Sequence, residues 1–216
     1  VQTTHPDLKG KMVSPYNAVT KGKTFNANDH ATHVAGIIAA TLNTAGGAGV
    51  SPNVKIMPIN VFTGDSANMY DVANAIRYAA DHDADIINMS LGGYYYSYDL
   101  HYATEYAKSK GVLIVAAAGN DDTYEETYPA SLDGVIGISA TNSGDKITQF
   151  SNYGYSIDFA APGEGIYSTV SGSRYSAMNG TSMASPVVAG VAALILSKNP
   201  LLTADQVEDV LHKSSV

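Results

Sequence analysis

Cysteine is absent from all 216 residues, which excludes disulfide staples, thiolate nucleophiles and zinc sites built on cysteine. Basic residues are scarce. Twelve Lys and Arg against twenty Asp and Glu leave a net charge of −8, and with no Lys/Arg cluster to track phosphates, nucleic acid is not expected as a partner. Long hydrophobic runs are missing too: the longest apolar stretch, ASPVVAGVAALIL (184–196), falls short of a membrane span of roughly 20 residues and carries a proline. No repeat or linker divides the chain, and 45% hydrophobic residues over this length suit one well-buried domain covering residues 1–216.

What is present is an alternation of two kinds of apolar segment. VKIMPINV (54–61), ADIINMS (84–90), VLIVAAAG (112–119) and VIGISA (135–140) are short and almost continuously hydrophobic, as strands buried on both faces are. Between them, residues 68–82 carry Val72, Ile76 and Ala79 at helical spacing, and residues 97–111 carry Leu100 and Tyr106 before a glycine stop. Strand, helix, strand in this order predicts right-handed crossovers and a parallel sheet, hence an α/β fold. Two helices are expected at the end, 181–198 and 203–214, the second capped at Thr203. Tyrosines crowd GGYYYSYDLHYATEY (92–106), where half-buried helix surface is the expectation.

Three segments carry chemistry. In NGTSMASP (179–186) Ser182 follows Gly180 and Thr181 and opens an apolar helix, with Pro186 expected in the first turn. A hydroxyl there lies beside unpaired backbone N–H groups that can hold an oxyanion. In NDHATHVAG (28–36) Asn28 or Asp29 caps a helix, which puts His30 in its accessible first turn, able to shuttle a proton, and His33 one turn on. The spacing of the two histidines, with no glutamate between them, does not match a zinc-binding HExxH. In VAAAGN (115–120) a buried strand ends at Asn120, whose amide can donate to developing negative charge.

These segments, in this order, resemble the subtilisin-like serine endopeptidases, with their GTSMASP nucleophile, HGTHVAG histidine and AAGN oxyanion motifs. SLGG (90–93) is similar to their substrate-binding strand, and HPDL (5–8) to the segment following their catalytic aspartate. The resemblance covers essentially the whole chain and implies a three-layer fold with a mainly parallel central sheet flanked by helices. It implies Ser182 as nucleophile, His30 as general base and then acid, and Asn120 with the Ser182 N–H as oxyanion hole. Ala31 departs from the family's glycine. An α/β-hydrolase reading is disfavoured: the fifth position of its GxSxG would be Ala184, and the only later histidine is His212, beside Asp209.

The resemblance further implies that an extended peptide pairs with Ser90, Leu91 and Gly92 on one side and with Asp65, Ser66 and Ala67 on the other. It places the primary pocket between walls of Ala117, Ala118 and Gly119, with Thr127 near its floor and Asp121 at its rim making lysine and arginine tolerable, and Met69 bordering a second apolar pocket. Broad cleavage after large apolar residues is expected. A calcium ion is the implied cofactor, held by the Asp7 carboxylate, the Asn43 side-chain oxygen and the carbonyls of Thr41, Ala45 and Gly47.

In the family an apolar strand ending in Asp, then Ser or Thr, then Gly runs into a segment like VQTTHPDL, and a short closing segment follows the last helix. The catalytic aspartate is therefore expected three residues before Val1, and the chain reads as truncated at both ends. The resemblance implies a secreted, monomeric zymogen with an inhibitory propeptide, acting on protein or peptide substrates. The alternative is a non-catalytic subtilisin-like domain.

Overall fold

The computed structural model describes residues 1–216. Four strands, β5 (Ile86–Met89), β6 (Leu113–Ala117), β7 (Ile136–Thr141) and β8 (Phe159–Pro162), form a parallel sheet in the order β5-β6-β7-β8. Every residue of β6 is buried. Its side chains alternate between two cores: Ile114 and Ala116 join one cluster, Leu113 and Val115 the other. A continuously apolar strand is thus what a sheet covered on both faces requires.

The first cluster is closed by α2 (Met69–Asp81) and α3 (Tyr98–Ser109), through Val72, Ile76, Ala79 and Leu100. The second is closed by α4 (Thr181–Lys198) and α5 (Ala204–Ser214), through Ala184, Ala189, Val207 and Leu211. The result is three layers, as expected. Thr203 caps α5 by a reciprocal box with Gln206. α4 is long and apolar enough to span a membrane by composition alone, and its packing against β6, β7 and α1 (Asp29–Ala39) accounts for that apolarity.

Residues 54–61 depart from expectation. Only β2 (Ile59–Asn60) forms there, paired in parallel with β1 (Tyr16–Asn17), and this pair does not join the four-stranded sheet. A groove of about 1390 Å³ separates the two, with Ile56, Ile59 and Val61 on one side and Ile87 and Met89 on the other, and His30 among its lining residues. Composition can mark a segment as strand, but its hydrogen-bond partners come from elsewhere in the chain. A hairpin of β3 (Phe62–Thr63) and β4 (Ser66–Ala67) and an antiparallel ribbon of β9 (Ile166–Val170) and β10 (Arg174–Met178) complete the fold. The ribbon delivers the chain to α4.

The tyrosine-rich segment is another correction. Of its six rings only Tyr106 is half-buried against the core as expected; Tyr94, Tyr95, Tyr96, Tyr98 and Tyr102 are exposed, with Tyr95 at 88% and Tyr98 at 70%. They pack on one another instead, Tyr96 lying edge-on to Tyr98 and to Tyr128.

Candidate active site

The sequence from Asn179 to Pro186 builds the centre of the site. Gly180 adopts φ +149°, which L side chains rarely take, and turns β10 into α4. No side chain caps this helix. The Ser182 N–H lies in its first turn with no acceptor in the chain, and is free to donate.

Pro186 is the sixth residue of α4, not a first-turn residue as expected. An ordinary residue there would donate its N–H to the Ser182 carbonyl. That carbonyl instead accepts the Ser90 hydroxyl at 2.8 Å. Ser90 receives the Asn88 amide at 3.1 Å, and Asn88 accepts from Ser185 at 2.7 Å. The proline therefore frees an acceptor that anchors the Ser90 segment against the nucleophile. Sequence reading missed Asn88 and Ser185, which no short motif marks.

Asn120 is oriented by the same turn. Its Oδ1 accepts the Thr181 N–H at 2.8 Å and the Thr181 hydroxyl at 3.1 Å. The Thr181 hydroxyl also accepts the Gly119 N–H at 3.1 Å. With Oδ1 held by Thr181, the Asn120 amide has its Nδ2 donor left over. An oxyanion hole needs two such unpaired donors, and the Ser182 N–H is a second.

His30 comes from α1. Asn28, not Asp29, is the cap, its side chain accepting from the Ala31 N–H at 3.0 Å. Asp29 turns to Ser171, whose N–H it accepts at 2.9 Å, and the Ser171 hydroxyl first and then this N–H hold its carboxyl below the usual range. His30 is open to solvent on one side. Partial burial on the other side, with a smaller contribution from His33, lowers its pKa and favours the neutral imidazole that a general base needs. The Ser182 hydroxyl donates to the Ser90 carbonyl at 3.4 Å, and no hydrogen bond joins it to His30. His33 is fully buried. Its Nε2 meets the Ser176 carbonyl at 3.0 Å, its Nδ1 has no partner, and burial lowers its pKa, so it is a structural imidazole tying α1 to β10.

The residues expected to flank substrate fall on either side of this centre. Asp65 and Leu91 line the groove beside His30. Ser66 and Ala67 form β4, whose only partner is β3, so its outer edge is open. Gly92 lies close to Ala117: a Cβ on Gly92 would stand 3.4 Å from the Tyr128 carbonyl and 3.9 Å from that of Ala117. Ala117, Ala118 and Thr127 are buried, and the Thr127 hydroxyl donates to the Ala118 carbonyl at 2.7 Å. Gly119, at φ +106°, admits no side chain, since a Cβ would meet the Asn152 amide at 2.4 Å. Met69 opens α2 directly behind the cap Asn68. Asp121 is not free at the rim, because its Oδ2 accepts the Tyr94 hydroxyl at 2.5 Å. His212 lies elsewhere, against Phe159 and Glu208.

Around Asp7 the donors suit a hard cation in kind, though not all as expected. The carboxylate is 1% exposed and no cationic side chain pairs with it. It receives the Tyr175 hydroxyl at 2.7 Å, and this bond pushes the phenol up to about 12. The carbonyls of Thr41, Ala45 and Gly47 accept no backbone hydrogen bond. The Asn43 oxygen, expected as a ligand, instead accepts the Ala45 N–H at 2.8 Å, while its Nδ2 donates to Asp7 at 2.6 Å. Turning that amide over would face its oxygen to Asp7.

A serine in the first turn of α4, a solvent-open histidine in the first turn of α1 and an asparagine amide clamped by Thr181, all on an α/β sheet, are the parts from which serine hydrolases are built. The model of the Subtilase family matches residues 1–216, and the chain belongs to that family. It is 46% identical over 201 residues to the thermophilic serine proteinase of Bacillus sp. (strain AK1), an alignment covering 92% of this chain and 50% of that protein. It is 44% identical over 201 residues to thermitase of Thermoactinomyces vulgaris, covering 92% and 72%. A solved cold-adapted subtilisin-like serine proteinase superposes with a TM-score of 0.91 at 35% identity, covering 99% of this chain and 78% of that one. The chain thus spans half the length of the first of these relatives.

Proposed function

We propose that residues 1–216 form a single peptidase domain of a secreted, monomeric serine endopeptidase that cleaves through an acyl-enzyme. The observation that supports this is the Thr181 clamp on Asn120 Oδ1, which leaves Nδ2 as the free donor of that side chain. Ser182 Oγ attacks the substrate carbonyl as His30 takes its proton, and the oxyanion forms between the two donors. His30 then returns the proton to the leaving amine. A water attacks the acyl ester by the same route in reverse and frees Ser182.

The substrate lies extended between Ser90–Gly92 and the open edge at Asp65–Ala67, so backbone pairing carries affinity and many sequences are accepted. The small residues Gly92, Ala117, Ala118 and Gly119 leave room for large apolar side chains on the acyl side. This mechanism requires a carboxylate against the His30 ring, and the groove that His30 lines gives such a group room to stand. Calcium, held by Asp7, a turned Asn43 and the carbonyls of Thr41, Ala45 and Gly47, would neutralise a buried charge and fix the loop. An inhibitory propeptide completes the reading.

The test is labelling of the full-length protein by a fluorophosphonate. Reaction at Ser182, abolished by Ser182→Ala, is expected; a folded protein that neither reacts nor cleaves casein is a non-catalytic member instead.

A further inference from the structure

Tyr94 and Asp121 each stand two residues beyond a wall of the proposed pocket, Tyr94 past Gly92 and Asp121 past Gly119. The bond of 2.5 Å between them joins the two walls. Both residues are exposed, which places the bond at the outer rim. Asp121 is held in position from behind, its N–H donating to Asn152 Oδ1 at 2.8 Å. Tyr94 is held as well: Gly93 and Tyr128 exchange backbone bonds of 3.0 and 2.8 Å. The Asp121 contact is also the largest influence raising the pKa of the Tyr94 phenol, so the bond persists through neutral pH.

We infer that Tyr94 is a specificity-determining residue, a strap across the pocket mouth that commits the Asp121 carboxylate to a neutral phenol and withholds it from a lysine or arginine entering the pocket. This rests on the pocket reading given above. A cationic side chain meets a carboxylate whose Oδ2 and part of whose charge are already taken up by the phenol, whereas an aromatic one gains the Tyr94 ring as further apolar surface. Asp121 would otherwise be the carboxylate best placed to receive a basic side chain.

The experiment uses the full-length protein and two product peptides of one sequence, ending in arginine or in phenylalanine. Their dissociation constants are measured by calorimetry, which needs no turnover. Tyr94→Phe keeps the ring and releases the carboxylate, so the preference should move roughly threefold toward arginine, the scale of an exposed ion pair. In an Asp121→Asn background the same substitution should change nothing. The proposal is overturned if Tyr94→Phe leaves the ratio unchanged while both peptides bind, or if the shift persists without the Asp121 charge. If neither peptide binds the parent protein, the pocket reading itself fails and takes the strap with it.

Discussion

At the scale of single residues, position matters less than what holds each group in place. Asn120 is useful as a donor only because Thr181 occupies its oxygen. On the proposed mechanism Asn120→Leu removes one oxyanion donor, and kcat should fall about 10²–10³-fold with KM little changed, the loss known for the oxyanion asparagine of subtilisin; steady-state kinetics on a chromogenic peptide reads it. His30 carries a second prediction. Its pKa is displaced below the usual value of about 6.5 by partial burial and by His33. On the proposed mechanism the active form is the neutral ring, so kcat/KM should be lost as pH falls; burial and His33 alone would set the midpoint below about 6.5, and the carboxylate that the mechanism requires raises it. A midpoint above that value would report an anion against the ring.

At the scale of elements, α4 and the Ser90 segment are joined through the helix backbone. Pro186 leaves the Ser182 carbonyl without its helical donor, and Ser90 supplies one. Ser90→Ala should therefore cost about 1–3 kcal/mol in urea unfolding, since it leaves a carbonyl without a donor in a partly buried place. Pro186→Ala alone restores a competing N–H. In the double variant Ser90→Ala/Pro186→Ala the helix satisfies its own carbonyl, and most of the loss should be recovered, a non-additivity that unrelated sites would not show.

For the whole molecule, the Asp7 loop joins distant parts of the chain. Asp7 takes Tyr175 from β10 and Asn43 from the loop after α1. If calcium binds there, a concentration about 100-fold above its dissociation constant adds about 2.7 kcal/mol of stability. For a chain of this size that raises Tm by roughly 5–10 °C over the chelated protein. Asp7→Asn should abolish the difference, and a Tm indifferent to chelator in the parent protein would remove calcium from the account.

The sequence by itself determined the elements whose signals are local. Apolar spacing marked α2 and α3, a long apolar run marked α4, continuous hydrophobicity marked β5, β6 and β7, and motif order tied the segments around Ser182, His30 and Asn120 to one family. Local signals suffice there because helix faces and doubly buried strands are written in consecutive residues. Only the tertiary structure decided the rest. It left residues 54–61 outside the four-stranded sheet, chose Asn28 over Asp29 as cap, gave the Ser182 carbonyl to Ser90 and the Asp121 carboxylate to Tyr94. Each of these turns on which groups meet across tens of residues of chain, and a hydrogen bond between distant residues leaves no period, cap or spacing in the sequence from which it could be read.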